Sequence, residues 1–228
     1  MGETALGYAI LDPGAIAGAV VGLAWGLVGD RIAARWPAHA DGSVRAVDWR
    51  TGLVAVAGAV AGWLTLGRFG GEPSQLVLVG VVVLGLVLLF ATDLDQKLLP
   101  DVVTLPLVPI ALGAFALGVN PFVREGPELA LAAGAAILLP LGLFALSIPF
   151  GPGAIGLGDL KLLLGMGLLV GAPRLVAGLI VGTISAGVVI VVLVAIRRIT
   201  LRSYVPYGPF LIVGCLWALL VLSDLPAA

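Results

Sequence analysis

Apolar runs long enough to cross a lipid bilayer recur from one end of this sequence to the other. That recurrence limits the chain to a bundle of membrane helices. A spanning helix needs about 20 mostly apolar residues, and such runs lie at 13–29, 51–67, 75–92, 102–119, 127–149, 154–171, 173–196 and 206–223. The expected class is therefore all-α, a polytopic bundle of about eight transmembrane helices. The sixth run is short and opens with Gly-rich sequence; without it, everything after it would invert.

The basic residues bear on that point. With the connections numbered in order, the odd ones hold Arg31, Arg35, Arg45, Arg50, Lys97, Lys161, Arg197, Arg198 and Arg202, and the even ones only Arg68, Arg124 and Arg174. Lys and Arg gather in cytoplasmic loops, so the odd connections are expected at the cytoplasmic face and both termini outside. The late basic cluster joins the early one only if the sixth run spans. The longest connection, Asp30–Arg50, is too short for a substantial core of its own, so 1–228 is read as one membrane-embedded domain.

Composition agrees. Hydrophobic residues make up 61% of the 228 and charged residues 11%, where a soluble domain is about half apolar and a quarter charged. A water-soluble globule of this make-up would expose large apolar patches. The net charge of −1 excludes nucleic-acid binding by bulk electrostatics. Cys215 is the single cysteine, so there is neither an internal disulfide nor a Cys-based zinc site, and it reads as a small buried hydrophobe. Met1-Gly2-Glu3-Thr4 lacks the basic stretch of a signal peptide, so the first run is expected to stay as a span.

Carboxylates are scarce, and two groups of them sit at the ends of apolar runs. Thr92-Asp93-Leu94-Asp95-Gln96-Lys97-Leu98-Leu99-Pro100-Asp101 closes the third run and opens the fourth, and Gly156-Leu157-Gly158-Asp159-Leu160-Lys161 opens the sixth. The charge rule puts both at the cytoplasmic face, Asp93 and Asp159 being 66 positions apart (159 − 93). An ionised carboxylate at membrane depth costs about 2.5–3.5 kcal/mol on insertion scales, which makes such residues candidates for function. Two carboxyls brought close share a proton: one serves as base on a water while the other, protonated, polarises a carbonyl. Gly156 and Gly158 would allow positive φ and close passage of a substrate backbone beside Asp159.

These residues have structural explanations too. Asp101, after Pro100, looks like a helix N-cap. Asp95 could pair with Lys97, Lys161 could snorkel to the headgroups, and Asp159 could cap the sixth helix. Asp93 ends a run and caps nothing obvious.

At these residues the chain resembles the type IV prepilin peptidases, GxGD-type membrane aspartyl proteases. The likeness rests on Asp93 to Asp101 followed by Val102-Val103-Thr104-Leu105-Pro106-Leu107, and on Gly156 to Lys161 followed by Leu162-Leu163. Val205-Pro206-Tyr207-Gly208-Pro209-Phe210 resembles the family's segment before its last helix, and Gly22 to Gly26 with Arg31 and Trp36-Pro37 is a weaker match. The resemblance implies catalysis by Asp93 and Asp159. It implies site-shaping or substrate-binding roles for Asp95, Pro100, Asp101, Gly156, Gly158, Lys161, Pro206, Gly208 and Pro209. Substrates would be prepilins or pseudopilins, whose basic leader stays cytoplasmic while their hydrophobic helix lies in the bilayer of the plasma or inner membrane.

Bifunctional members carry two CxxC pairs in the first cytoplasmic loop, a zinc signature, and also methylate the new N-terminus. Residues 30–50 contain no cysteine here. The expectation is peptidase activity with no metal and no cofactor, and the missing cysteines put methyltransferase activity in doubt. A presenilin-like protease would share the aspartates but lacks the Leu99-Pro100-Asp101 context. A transporter or channel component, with Asp93 and Asp159 as an ion or proton relay, is the alternative from another class; the inverted repeats that would favour it are not seen.

Overall fold

The structure, a computed structural model, describes residues 12–39, 42–151, 155–198, 200 and 206–222. Met1 to Thr4, Arg202 and Val205 lie outside the described residues. Among the described residues the regular structure is helical, without strands.

Helix α1 covers Pro13–Ala33, α2 Trp49–Phe69 and α3 Pro73–Gln96. The short α4 (Asp101–Thr104) and α5 (Leu107–Ala116) share the fourth apolar run, and α6 is Gly126–Ser147. Then come α7 (Leu157–Val170), α8 (Ala172–Ala195) and α9 (Gly208–Leu220). Every expected run thus appears as helix. By length and hydropathy α1, α2, α3, α6 and α8 can each cross a membrane. The fourth run breaks because Pro106 has no N–H to donate and disfavours helical backbone at Leu105. Helix α7 has 14 residues, a rise of about 21 Å against about 30 Å of hydrocarbon.

Local chemistry sets the ends. The Asp12 carboxylate accepts from Ala15 N at 3.0 Å, with Pro13 opening α1. Asp48 caps α2, and Thr51 returns the bond to the Asp48 N–H. Between α7 and α8 one residue makes the turn: Gly171, at φ 82° and ψ 165°, a backbone region that is essentially glycine's.

The chain divides into two compact units: Met1–Val103 with Gly113–Pro121, and Thr104–Leu112 with Phe122–Ala228. In the first, α1 and α2 pack backbone to backbone through glycines spaced four apart. A Cβ built on Gly22 would stand 2.0 Å from the Gly58 carbonyl oxygen, and one on Gly62 2.2 Å from that of Gly18. Small residues at such spacing replace the hydrophobic effect that lipid cannot supply. Helix α3 adds Leu78, Val79, Val82, Leu86 and Leu89 to the core. The Trp25 indole donates to the Leu84 carbonyl at 2.9 Å, tying α1 to α3.

In the second unit α8 and α9 repeat the device, with Gly178 against Gly214 and Gly182 against Phe210. Leu162, Leu163, Met166, Leu169, Leu211 and Ile212 are buried there. Arg174 is buried near the start of α8 and donates to Leu222 O at 2.6 Å and Ala218 O at 3.3 Å. It thereby serves carbonyls that the end of α9 leaves open, and its guanidinium lies 4.7 Å from the Phe122 ring centre. Outward positions such as Val20, Val77, Leu138 and Val191 are exposed and apolar, as lipid-facing surfaces require.

Gly22→Leu should therefore force α1 and α2 apart and destabilise the detergent-solubilised protein by about 1–3 kcal/mol, as overpacking does; an unchanged thermal midpoint would contradict the packing. Arg174→Met, which strands the α9 carbonyls, should cost about 1–3 kcal/mol, read in the same thermal scan.

Candidate active site

Asp93 lies in the last turn of α3, only 3% exposed. Beside it Thr92 is fully buried and satisfies its own hydroxyl by donating to Leu89 O at 3.0 Å. The helix stops because Lys97 turns left-handed at φ 57°, its N–H donating to the Asp93 carbonyl at 2.9 Å. A non-glycine residue there carries strain of about 1–3 kcal/mol, of the kind that clusters at functional sites. The chain then runs through half-buried Pro100 to Asp101, which is exposed and opens α4 as its first residue.

Asp95 has a different environment. Its carboxylate is 2% exposed and is held by side chains from the loop before α2 and from the first turn of α2. Arg45 Nε stands 2.6 Å and Arg50 Nη1 3.0 Å from Oδ1, and His39 Nε2 3.0 Å from Oδ2. Next to it Gln96 Nε2 donates to Pro37 O at 2.6 Å. Arg45 also binds Asp48 at 2.6 Å and contacts Asp30, which is fully buried near the end of α1. Asp30 in turn accepts from Thr51 Oγ1 at 2.7 Å and pairs with Arg31. Burial works against the charge on Arg45, yet the Asp30 hydrogen bond and the nearby charges of Asp30, Asp95 and Asp48 hold its pKa above the usual arginine value. The ends of α1 and α3 and the start of α2 thus meet at one end of the first unit.

In the second unit Asp159 sits in the first turn of α7, 9% exposed. Its carboxylate accepts from the Gly156 backbone N–H, the reach-back expected of an acid three positions past a helix cap. The other oxygen, Oδ1, is buried without a hydrogen-bond partner among the described residues. Neither neighbouring glycine uses a positive φ: Gly156 is extended at φ −71°, and Gly158 lies inside α7. What Gly156 supplies is room, since a Cβ there would lie 3.2 Å from Asp159 Oδ2. Lys161, two positions further along α7, is half-buried. The third motif comes close: Tyr207, just before α9, lies within electrostatic range of Asp159. Its hydroxyl is 3.0 Å from that of Thr183. Gly208 and Pro209 are buried and Pro206 is half-buried.

The structure thus places Asp93, Asp95, Pro100 and Asp101 around the end of α3, and gathers Gly156, Gly158, Asp159 and Tyr207 at the ends of α7 and α9. Sequence reasoning missed His39, Arg45 and Arg50 as partners of Asp95, Asp30 as a second carboxylate bound by Arg45, and Thr183 as the partner of Tyr207. The alternation of basic residues between loops located the arginines but not what they bind.

Comparison with known proteins agrees with these motifs. The type IV leader peptidase family matches residues 80–196, a stretch that contains both aspartates. A prepilin leader peptidase/N-methyltransferase of Aeromonas hydrophila is 31% identical over 178 residues, 78% of this chain. The chain spans 58% of that relative's length. No solved structure matches. With the match covering half the chain, the protein belongs to the type IV leader peptidase family.

Proposed function

We propose that the protein is an aspartyl endopeptidase that removes the basic leader from type IV prepilins or pseudopilins at the cytoplasmic face of a cell membrane. Asp93 and Asp159 act together on one water. The observation that carries this reading is the burial of these two residues, at 3% and 9% exposure, inside the stretch that the family matches. Asp95, the other covered carboxylate there, is occupied by arginines. Asp159 Oδ1 is buried with no hydrogen-bond partner among the described residues and so keeps open acceptor capacity.

In the reaction the ionised member of the pair takes a proton from water as the oxygen attacks the scissile carbonyl carbon. The protonated member gives its proton to the carbonyl oxygen. The resulting gem-diol collapses: one hydroxyl returns its proton to the ionised carboxylate as the C–N bond breaks, and the amine leaves with the proton of the other carboxyl, so the pair again holds one proton between two carboxyls. Titration belongs to the pair and not to either residue. The cytoplasmic placement follows from the charge distribution of the loops. Within the first unit it has the support that the ends of α1 and α3 share one pole. The remaining site residues, Pro100, Asp101, Gly158, Lys161, Pro206, Gly208 and Pro209, are proposed to shape the substrate path.

Methyl transfer and zinc are not part of the proposal. The loop of residues 30–50 offers no thiolate, and His39 and Asp48 are engaged with Asp95 and Arg45. That donor set does not suit a tetrathiolate site.

Asp93→Asn and Asp159→Asn, which keep shape and lose acid–base function, should each lower cleavage of a prepilin in proteoliposomes by about 10²–10⁴-fold with unchanged thermal midpoints. Wild-type rates in both would refute the mechanism. Treatment with a chelator should leave cleavage intact, and elemental analysis showing stoichiometric tightly bound zinc would count against the metal-free reading.

A further inference from the structure

We infer that Arg45 is a positioning residue for the cleavage reaction: it joins the ends of three helices at one point and so fixes the turn of α3 that carries Asp93. This rests on the two-aspartate reading above.

A single guanidinium makes the junction. Nη2 pairs with Asp30 near the end of α1, Nη1 lies 2.6 Å from the α2 cap Asp48, and Nε lies 2.6 Å from Asp95 in the last turn of α3. Arginine alone among side chains has donors arranged in a rigid fork that can serve several carboxylates at once. The Arg45 side chain is 11% exposed, with Asp30 at 0% and Asp95 at 2%, so water competes little for the ion pairs with Asp30 and Asp95; Asp48 is 34% exposed. Arg50 and His39 add further holds on Asp95, and Gln96 is tied to Pro37. The loop thus grips two consecutive residues just after Asp93-Leu94.

Two physical consequences follow. Helix termini are the parts of a fold that open most readily, and α3 ends in a left-handed residue four positions after Asp93; the grip keeps that last turn in one place. The cluster is also balanced. Asp30, Asp48 and Asp95 face Arg31, Arg45 and Arg50, so with His39 neutral no net negative charge is left two residues from Asp93. Catalytic geometry is sensitive at this scale, since displacement by about 1 Å can cost about 10²-fold in rate.

The test compares Arg45→Met and Arg45→Lys with wild type in proteoliposomes, below the unfolding midpoint of each. Arg45→Met should lower kcat by about 10–100-fold while KM stays within about threefold, because positioning is lost rather than binding. The acid limb of its kcat profile should also move to higher pH. Asp95 loses a cation, and its charge then opposes ionisation of the catalytic pair two residues away, so activity is lost at higher pH. His39 faces Asp95 in wild type and in all the variants alike, so its effect is common to them. Arg45→Lys keeps the positive charge and should hold the acid limb near the wild-type position. Its kcat should still fall, since one ammonium cannot bridge three carboxylates. If Arg45→Met fails to fold, Arg45→Lys carries the kcat test. Wild-type kcat, or a fall accompanied by an unmoved acid limb in Arg45→Met, would overturn the inference. Asp93→Asn assayed alongside separates the two claims: if it is inactive and the Arg45 variants match wild type, only the positioning role fails. If it cleaves normally, the two-aspartate reading fails.

Discussion

A carboxylate withdrawn from water inside an apolar bundle persists only where something specific accounts for it, and that constraint organises this protein. Asp30 and Asp95 are accounted for by cations: covered, they are neutralised by Arg45 from the loop before α2, with Arg31 of α1 on Asp30 and Arg50 of α2 on Asp95. Asp159 has one backbone N–H on one oxygen and no hydrogen-bond partner among the described residues on the other. Such a group is better suited to exchanging a proton than to stabilising a fold. The proposed mechanism uses the second kind of buried acid and leaves the first kind to the scaffold.

The scaffold that holds these acids depends on backbone contact. Lipid tails are as apolar as leucine, so helices associate through close packing and hydrogen bonds. Gly18, Gly22, Gly58 and Gly62 let α1 and α2 touch, and Gly178 with Gly214 does the same for α8 and α9. The large exposed side chains then face outward, where a bilayer takes them up. Polar groups on the apolar helices, such as the half-buried Trp25 indole and the buried Arg174, find carbonyls on a neighbouring helix.

Much of this is legible in the sequence because hydropathy is local. Each apolar run became helix within a few residues of its expected limits, since a run of that length has few other ways to satisfy its backbone. The fourth run departs from this because Pro106 interrupts it, a signal that was in view and outweighed by hydropathy. The site was legible where chemistry is written in adjacent letters: Asp93 to Asp101, Gly156 to Asp159, and the Tyr207-Gly208-Pro209 turn. It was not legible where partners lie far apart. Arg45 and Asp95 are 50 positions apart (95 − 45) with no period linking them, so the basic loop read only as a topology signal. Gly156 was noted for its freedom of φ, whereas it serves by leaving space for a carboxylate oxygen 3.2 Å from where its Cβ would be.

The central claim is that Asp93 and Asp159 work as a pair, and proximity is what a pair requires. Cysteines introduced at 93 and 159, with Cys215 replaced by alanine, can be treated with a short thiol-to-thiol cross-linker in membranes. Cysteines at 85 and 103 serve as the positive control, because a Cβ at Gly85 stands 3.4 Å from Val103 Cγ1. The account predicts an intramolecular cross-link between 93 and 159 at a yield matching the control. A control that cross-links while the 93–159 pair does not would contradict it.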